Sequence, residues 1–319
     1  MELGHEHGYF VIDLMSKQSG SSRGCDQTHG HLISTSSSTL HCICFLEFET
    51  LPASMKSLKD THIVFSRWFA AIQNGDWNAA ETFLASDVMV NGKSLTRHAC
   101  IQKLQDDKFD TAQLDMCIVD DESAEIAARF LFPRPPDQTE AWTAQTLFTI
   151  VHDKLSTIHS LAGRNYSAAP LSKTEPMGKK AAPAQGLNTS DLRAFYTDYI
   201  DSINTHTMRG HFDAACQDMV THNHVDYTRD EYREMIESSF DDISGLRFTI
   251  ERLVVNEEAQ QVAARLGFTG VPIREFRGIA ATGNAVRFRE HAFYQLERGQ
   301  IRQVWSLLDL AAYRASMAS

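Results

Sequence analysis

The sequence predicts an α+β protein built from two tandem copies of one unit, and three observations support this prediction. The segment 118–132, IVDDESAEIAARFLF, aligns without a gap with the segment 254–268, VVNEEAQQVAARLGF. Shorter matches flank this alignment in the same order in both halves of the chain. Each half also places helical patterns before strand-like ones, which is typical of α+β domains rather than of parallel α/β sheets.

The composition narrows the class of protein. A chain of 319 residues allows two domains of ordinary size, each with its own core. The formal net charge of -11 argues against nucleic-acid binding, because binding phosphates requires clustered Lys and Arg. No apolar run approaches the length of a membrane span, so no membrane contact is predicted. The six cysteines lack zinc-site and disulfide spacing, which is typical of reduced thiols in a cytoplasmic protein.

Residues 1–56 differ from the rest of the chain. They contain serine-rich tracts and scattered histidines, but few apolar residues at periodic positions. The chain starts with MELGHEH, which is acidic and lacks the basic start of a secretory signal. This composition predicts a disordered extension.

The first unit covers residues 57–165. Apolar residues recur at helical spacing between 65 and 72, and Asn74-Gly75 ends this helix. A second short helix is predicted at 78–84, and Thr96 is expected to cap a third that reaches Gln105. Four strands centred on residues 117, 128, 147 and 157 complete the unit.

The second unit covers residues 189–319 and repeats this order after a linker at 166–188, whose prolines, alanines and lysines predict a flexible tether. Its first helix begins at Ser190 and places Tyr199 on the apolar face. A short helix at 212–216, a strand at residue 220, a helix at 228–238 and four strands that end near residue 309 follow.

Five motifs of the second unit together resemble a known family. Taken in chain order, they lie at 220–224, 227–232, 267–270, 282–288 and 299–305, with the sequences VTHNH, YTRDEY, GFTG, TGNAVRF and GQIRQVW. This set resembles the SnoaL-like polyketide (ester) cyclases of the nuclear transport factor 2-like superfamily. Residues 190–313 carry the resemblance, and residues 57–164 share it more weakly.

The resemblance implies a fold of two tandem cone-shaped α+β barrels, each with N-terminal helices packed on a curved, mostly antiparallel sheet around an apolar pocket. It also implies cyclisation of a carbonyl compound in secondary metabolism, without a metal or a cofactor. In such enzymes an acidic residue near the end of the last strand serves as acid and base. Asp309 occupies that position.

Strand alternation gives an independent reason to consider Asp309. It places Trp305 and Asp309 on the same face of the last strand, where Trp305 would line the substrate pocket. An apolar face removes water from the carboxylate and raises its pKa, which suits proton transfer near neutral pH. The alternative is that Asp309 caps a helix at 310–315, and the two roles are compatible.

Glu290 is the second candidate acid. Alternation on its strand places Phe288, Glu290 and Tyr294 toward the pocket and His291 on a solvated face, unless a β-bulge exchanges them. An inward Glu290 could share a proton with Asp309, as paired carboxylates do. The alternative is a surface glutamate paired with a neighbouring arginine.

Two histidines follow Val220 along its strand. Val220, His222 and His224 alternate onto one face, so both histidines are predicted to line the pocket. His222 could polarise a substrate carbonyl or relay a proton. The alternative is a plain polar strand end. No convincing set of further ligands accompanies these histidines, so a metal site is not predicted.

Arg265 is a candidate for binding a substrate carboxylate. It occurs in both copies, as Arg129 in the first, which favours a structural ion pair across the sheet instead. The other predicted substrate-binding residues are aromatic, and the sequence does not separate pocket wall from core at Trp305, Tyr199, Phe268 and Tyr294.

The first copy departs from the second where chemistry is expected. Alignment of the terminal strands places His159 at the position of Trp305 and Gly163 at that of Asp309, so the carboxylate is missing. The short segment 132–136, FPRPP, replaces the long glycine-containing loop of the second copy. We therefore predict a non-catalytic first unit that pairs with the second as an intramolecular pseudo-dimer, with a homo-oligomer as the alternative.

These observations predict a cofactor-independent cyclase, isomerase or dehydratase that acts on a small apolar carbonyl compound of polyketide type. Asp309 removes a proton beside the carbonyl, and His222 or protonated Glu290 stabilises the resulting oxygen anion. The alternative is a non-catalytic ligand-binding or scaffold protein with the same fold. A cavity with converging polar groups favours the enzyme, whereas a filled interior favours the scaffold.

Overall fold

The computed structural model describes residues 61–133, 141–165 and 186–318. The extension predicted at 1–56 lies outside these residues, and so does most of the linker predicted at 166–188. Within the described part of the chain, no helix has the length and apolar character needed to cross a membrane.

The first unit begins with helices and ends with four long strands. Its helices start where side chains accept hydrogen bonds from backbone N–H groups, at Asp76 from Ala79 (2.9 Å) and at Thr96 from Ala99 (3.2 Å). The predicted cap at Thr96 is therefore confirmed. The elements are α1 (Thr61–Gln73), α2 (Trp77–Thr82), β1 (Leu84–Val90), β2 (Lys93–Thr96), α3 (Arg97–Asp106), a 3₁₀ turn (Phe109–Thr111), β3 (Gln113–Asp120), β4 (Glu125–Phe132), β5 (Ala141–Val151) and β6 (Lys154–Asn165).

The second unit repeats this order and adds a C-terminal helix. Its third helix begins at a capping box, in which Thr228 and Glu231 each accept a hydrogen bond from the other's backbone N–H. The elements are α4 (Thr189–Asn204), α5 (Met208–Ala215), β7 (Cys216–His222), β8 (Val225–Thr228), α6 (Arg229–Asp242), β9 (Ile243–Asn256), β10 (Gln261–Pro272), β11 (Val286–Glu297), β12 (Gln300–Leu308) and α7 (Leu310–Met317).

Each unit contains one six-stranded sheet with the same topology. The strand orders are β2-β1-β6-β5-β4-β3 and β8-β7-β12-β11-β10-β9. One central pair in each sheet is parallel, β1 with β6 and β7 with β12, and the other pairs are antiparallel. The prediction of tandem α+β units is thus confirmed. The predicted barrels are instead open mixed sheets, because the edge strands of each sheet do not pair with each other.

The helices of each unit cover one face of their own sheet and form a separate core there. Aromatic side chains fill the centre of the first core. The Phe148 ring lies 5.3 Å from that of Phe65 and 5.4 Å from that of Trp68, measured between centroids. All three side chains are buried. The interior of the first unit is therefore closely packed at its centre.

A third core lies between the two sheets. Ile118, Ala127 and Leu147 of the first sheet pack against three residues of the second, Val254, Ala263 and Phe293. Part of the outer face of each sheet is therefore buried by the other. This corrects the prediction that His291 lies on a solvated face, since its side chain is only 1% exposed. Strand alternation distinguishes two faces of a sheet, but it does not show which face meets water.

Polar contacts cross the same interface. Asp120 of β3 pairs with Arg193 of α4 and also accepts a hydrogen bond from the backbone N–H of Val255 (3.2 Å). The Nδ1 of His291 donates a hydrogen bond to the carbonyl oxygen of Gln145 (2.8 Å), and burial lowers the pKa of His291 to about 3. The two units are thus joined within one chain by an apolar layer that includes specific hydrogen bonds.

Candidate active site

The second unit contains a cavity of about 90 Å³ between its helices and the inner face of its sheet. Most of its wall is aromatic or aliphatic. Phe268 belongs to this wall, with its ring stacked on Phe288 at 4.9 Å between centroids. The polar groups that reach the cavity come from two helices, three strands and one loop of the unit. They include His222, Tyr199, Tyr232, Arg277, Glu290 and Ser306.

Glu290 lines this cavity from β11, on the face that strand alternation predicts. Ser306 of the neighbouring strand β12 donates a hydrogen bond from its Oγ to the Glu290 carboxylate. Burial raises the pKa of Glu290 to about 7, while the Ser306 hydrogen bond and the charge of Arg277 limit the rise. Both protonation states of Glu290 are therefore populated near neutral pH.

Ser306 is held in place by Asn223, which lies in the turn between β7 and β8. Its Nδ2 donates a hydrogen bond to the Ser306 carbonyl (3.1 Å), and its Oδ1 accepts one from the Ser306 N–H (2.8 Å). These two bonds fix the backbone next to the hydroxyl that contacts Glu290. Sequence analysis missed both residues, because serine and asparagine near strand ends carry no distinctive signal.

His222 ends β7 and lines the cavity, as predicted. Its ring lies 5.9 Å from that of Tyr232. Desolvation lowers the pKa of His222 to about 4, and the charge of Arg277 acts in the same direction. The imidazole is therefore neutral near pH 7 and can donate a hydrogen bond without carrying a charge.

Buried tyrosines form two hydrogen-bonded pairs beside the cavity. The Tyr196 hydroxyl donates to the Tyr294 hydroxyl (3.3 Å), and the hydroxyls of Tyr199 and Tyr232 lie 3.0 Å apart. Burial raises the pKa of all four well above the ordinary value. These groups are neutral donors at physiological pH. Tyr199 and Tyr294 were predicted as wall residues, and both line the cavity.

Asp309 lies elsewhere. Its Oδ1 accepts a hydrogen bond from the backbone N–H of Ala312 (2.9 Å) and caps α7, which is the alternative role considered from the sequence. The carboxylate does not belong to the cavity lining. It influences Arg265 electrostatically, on the face of the sheet that meets the first unit. The predicted pocket-facing position of Asp309 is therefore wrong.

The predicted pocket-facing position of Trp305 is also wrong, because a β-bulge precedes it in β12. Its ring packs in the layer between the sheets, 4.8 Å from the guanidinium carbon of Arg129. In β12, Gln303 pairs with Gln295 and Ile301 with Leu296, so Arg302 is an additional residue in a bulge. The bulge shifts the alternation by one residue. Val304, Ser306 and Leu308 consequently line the cavity, and Trp305 faces away.

Two further candidates do not line the cavity. His224 follows the end of β7 in a left-handed turn (φ 72°) and is exposed, so the predicted alternation stops at His222. The Nε of Arg265 pairs with the Glu251 carboxylate at 2.7 Å, and Arg129 pairs with Asp115 at 2.8 Å in the first unit. The structural ion pair is therefore present in both copies.

Arg277 is a cavity residue that sequence analysis missed. It lies in the loop between β10 and β11, and its guanidinium carbon is 5.7 Å from the centroid of the Phe276 ring. A single arginine in a loop belongs to no periodic pattern, so nothing in the sequence distinguishes it. Across the described ranges, no group of three or more His, Cys, Asp or Glu side chains is arranged to hold a metal ion.

The fold and the cavity define a tandem α+β protein whose second unit contains a cavity with converging polar groups. Residues 190–316 match the family model of the SnoaL-like polyketide cyclases. A SnoaL-like polyketide cyclase from Agrobacterium tumefaciens is 36% identical, over 39% of this chain and 95% of its own, with a TM-score of 0.37. TsrD from Streptomyces laurentii is 21% identical, over 41% of this chain and 97% of its own, with a TM-score of 0.38.

A search of curated proteins found no match. The family model falls on the C-terminal part of the chain, and the 36% identical relative is covered over 95% of its own length. The chain belongs to the SnoaL-like polyketide cyclase family.

Proposed function

We propose that this protein is a cofactor-independent enzyme of cyclase or isomerase type, which transfers protons on a small carbonyl compound. Glu290 is the acid and base in this proposal, in place of Asp309. The observation that carries it is a carboxyl group in an aromatic-lined cavity, with its pKa raised to about 7 by burial and a hydrogen bond from Ser306. A base with this pKa combines availability with strength near neutral pH.

The proposed step is enolisation. The ionised Glu290 carboxylate takes a proton from the carbon beside the carbonyl group. The electron pair of that C–H bond forms the C=C bond of the enolate, and the π pair of the C=O bond moves onto the carbonyl oxygen. Protonated Glu290 then returns the proton to the same carbon, to another carbon, or to a leaving oxygen. Cyclisation, isomerisation and dehydration share this first step, and a polyketide-like substrate is supported by the family.

The enolate oxygen requires hydrogen-bond donors in a site with little water. The neutral imidazole of His222 lines the same cavity and is suited to this role. The Tyr232 hydroxyl is a further neutral donor in the lining, and its pairing with Tyr199 fixes its position. Because these donors are uncharged, they stabilise a developing negative charge without competing with Glu290 for the proton.

Proton exchange at carbon tests this proposal without knowledge of the natural substrate. We would incubate the full chain with cyclohexanone in D₂O and follow deuterium incorporation beside the carbonyl by NMR. The wild type is expected to accelerate exchange, and Glu290→Gln to lose about 100-fold or more of that rate. Glu297→Gln is the matched control, since Glu297 is exposed on the same strand. Equal exchange rates in Glu290→Gln and the wild type would refute the proposed base.

The alternative function is ligand binding without turnover in the same cavity. It predicts that no variant alters proton exchange, because the wild type would show none above the buffer rate. The hydrogen-bonded carboxyl group favours the enzyme, since a cavity that only holds an apolar ligand gains nothing from a buried acid.

A further inference from the structure

Arg277 is a cation at the cavity with no ion-pair partner among the described residues. Its side chain lines the cavity and packs over Phe276. Among the residues that the structure describes, no carboxylate lies within ion-pair distance of its guanidinium. Elsewhere in this unit the buried arginines are paired, as Arg265 is with Glu251. A lone guanidinium beside an apolar cavity is therefore exceptional in this unit.

The backbone at Arg277 is also unusual. Phe276 and Ile279 each donate a backbone hydrogen bond to the other's carbonyl (3.0 Å), so Arg277 and Gly278 are the central residues of a two-residue hairpin turn. Both have positive φ, 51° and 74°. This turn type favours asparagine, aspartate or glycine at both positions. Arginine is therefore unfavourable for the turn itself, and such a residue at a cavity indicates a role in function.

The position of Arg277 leaves space for a ligand group. Arg277, Glu290 and His222 line the same cavity, and the positive charge of Arg277 acts to lower the pKa of both other groups. Arg277 nevertheless forms no ion pair with Glu290 in the described structure. The cavity of about 90 Å³ lies beside both side chains. An anionic oxygen bound in the cavity would be paired with the Arg277 guanidinium.

We propose that Arg277 determines specificity by binding a carboxylate of the substrate. This inference rests on the proposed function, which requires that the same substrate contains a carbonyl group. The substrate class is therefore a small, mostly apolar keto acid. A guanidinium binds a carboxylate through two parallel N–H···O bonds, which both orient the ligand and strengthen its binding. On a chain with a formal net charge of -11, an anionic ligand also requires such a local cation.

A pair of flat probes that differ in charge tests this inference. Benzoate and benzamide have the same size and shape, and only benzoate is anionic at neutral pH. We expect the full-length wild type to bind benzoate at least about tenfold more tightly, measured by ligand-observed NMR at low ionic strength. Arg277→Asn is expected to abolish this preference, and Arg277→Lys to retain part of it.

Arg277→Asn is expected to remove the guanidinium without destabilising the turn. Asparagine suits a left-handed position better than arginine does, so we expect thermal unfolding of the variant to be unchanged or shifted upward. Arg274→Asn is the matched control. Arg274 lies in the same loop and is exposed, and its side chain does not reach the cavity. This control should keep the full preference for benzoate.

Several results would overturn the inference. These are equal binding of both probes or binding of neither by the wild type, an unchanged preference in Arg277→Asn, and an equal loss of preference in Arg274→Asn. None of these outcomes depends on turnover. The exchange assay on Glu290→Gln uses a neutral ketone, which has no carboxylate for Arg277 to bind. Failure of one proposal is therefore distinguishable from failure of the other.

Discussion

The two units share a fold but differ in the side chains of their interiors. In each unit an asparagine in the turn after the first strand hydrogen-bonds both backbone groups of a serine, Asn91 with Ser160 and Asn223 with Ser306. These equivalent pairs align the two sheets residue by residue. The structural alignment agrees with the sequence alignment of the terminal strands, which places Ser160 opposite Ser306.

In that alignment the first unit has apolar residues in place of Glu290 and His222, whereas Ser306 is matched by Ser160. Ala144 pairs with Phe130 where Glu290 pairs with Leu266, and Val90 pairs with Ile158 where His222 pairs with Val304. Three tyrosines of the second unit likewise have counterparts without a hydroxyl in the first unit. The tyrosines of the second unit and their counterparts in the first are Tyr196 and Phe65, Tyr199 and Trp68, and Tyr294 and Phe148.

This difference indicates that the fold alone does not determine the function of a unit. Both sheets have the same strand order, and both carry the ion pair between adjacent strands. The chemistry proposed for the second unit depends instead on a few side chains around one cavity. An enzyme and a closely packed support can therefore share one topology, and function must be argued from the site.

The largest expected effect comes from making the second unit resemble the first at its acid. Glu290→Ala reproduces Ala144 and is expected to reduce cyclohexanone exchange by about 100-fold or more. Its folded state should persist, because the variant removes a carboxyl group that burial disfavours. NMR exchange rates and thermal unfolding measured on the same preparation check both statements. A variant that folds and retains the wild-type rate would remove the functional distinction between the units.

The reciprocal change tests whether the first unit has room for an acid. Ala144→Glu places a carboxyl group in a closely packed aromatic core, and we expect a loss of about 3 kcal/mol in unfolding free energy. Ala162→Glu is the matched control, since Ala162 pairs with Ala144 but is exposed. Denaturant unfolding measures both variants. If Ala144→Glu is as stable as the control, the first core is not filled.

The acid should also give the second unit a pH dependence that the first lacks. Folding raises the pKa of Glu290 from 4.5 to about 7, so its stabilising contribution is complete below pH 4.5 and is lost as the pH rises through about 7. His222 acts in the opposite direction, because its pKa falls from 6.5 to about 4. The other polar groups that line the cavity with Glu290 are Arg277, Ser306 and the tyrosines, and burial raises the pKa of those tyrosines.

Glu290→Gln isolates the contribution of the acid, since it leaves His222 in place. Between pH 5 and 8, we expect the unfolding free energy of the wild type to fall with pH relative to that of Glu290→Gln. Over the same range the exchange rate should rise as Glu290 becomes ionised. Parallel stability curves for the two proteins would show that Glu290 does not titrate in this window.

The smallest expected effect concerns Asp309, which has no equivalent at Gly163 of the first unit. Asp309→Ala removes the cap of α7 and should lower the unfolding free energy by about 1 kcal/mol. Cyclohexanone exchange should remain at the wild-type rate, because the Asp309 carboxylate does not reach the cavity. A loss of exchange comparable to that of Glu290→Gln would restore Asp309 as the base.

Sequence reasoning worked where the structural cause is local. The tandem order of helices and strands, the cap at Thr96 and the inward side of Glu290 all follow from patterns within one element. Glu290 was counted from Phe288 along an uninterrupted strand, so its orientation was predictable. Asp309 and Trp305 were counted across the bulge at Arg302, which alternation alone does not reveal.

Other features depend on parts of the chain that are distant in sequence. The outer face of β11 was predicted to be solvated, but His291 on that face contacts Gln145 of the first unit. Arg277 reaches the cavity through a left-handed turn that arginine does not favour. Such positions are set by tertiary contacts and by ligand binding, and neither leaves a periodic signal in the sequence.

The contact between Asp120 and Arg193 has a consequence for how the site is maintained. Arg193 belongs to α4, the helix that also carries Tyr196 and Tyr199, so a residue of the first unit helps to position one wall of the cavity. Because both partners belong to a single polypeptide, dilution does not separate them. The wall of the cavity therefore keeps its support at any protein concentration, which an enzyme assembled from separate subunits achieves only above its dissociation constant.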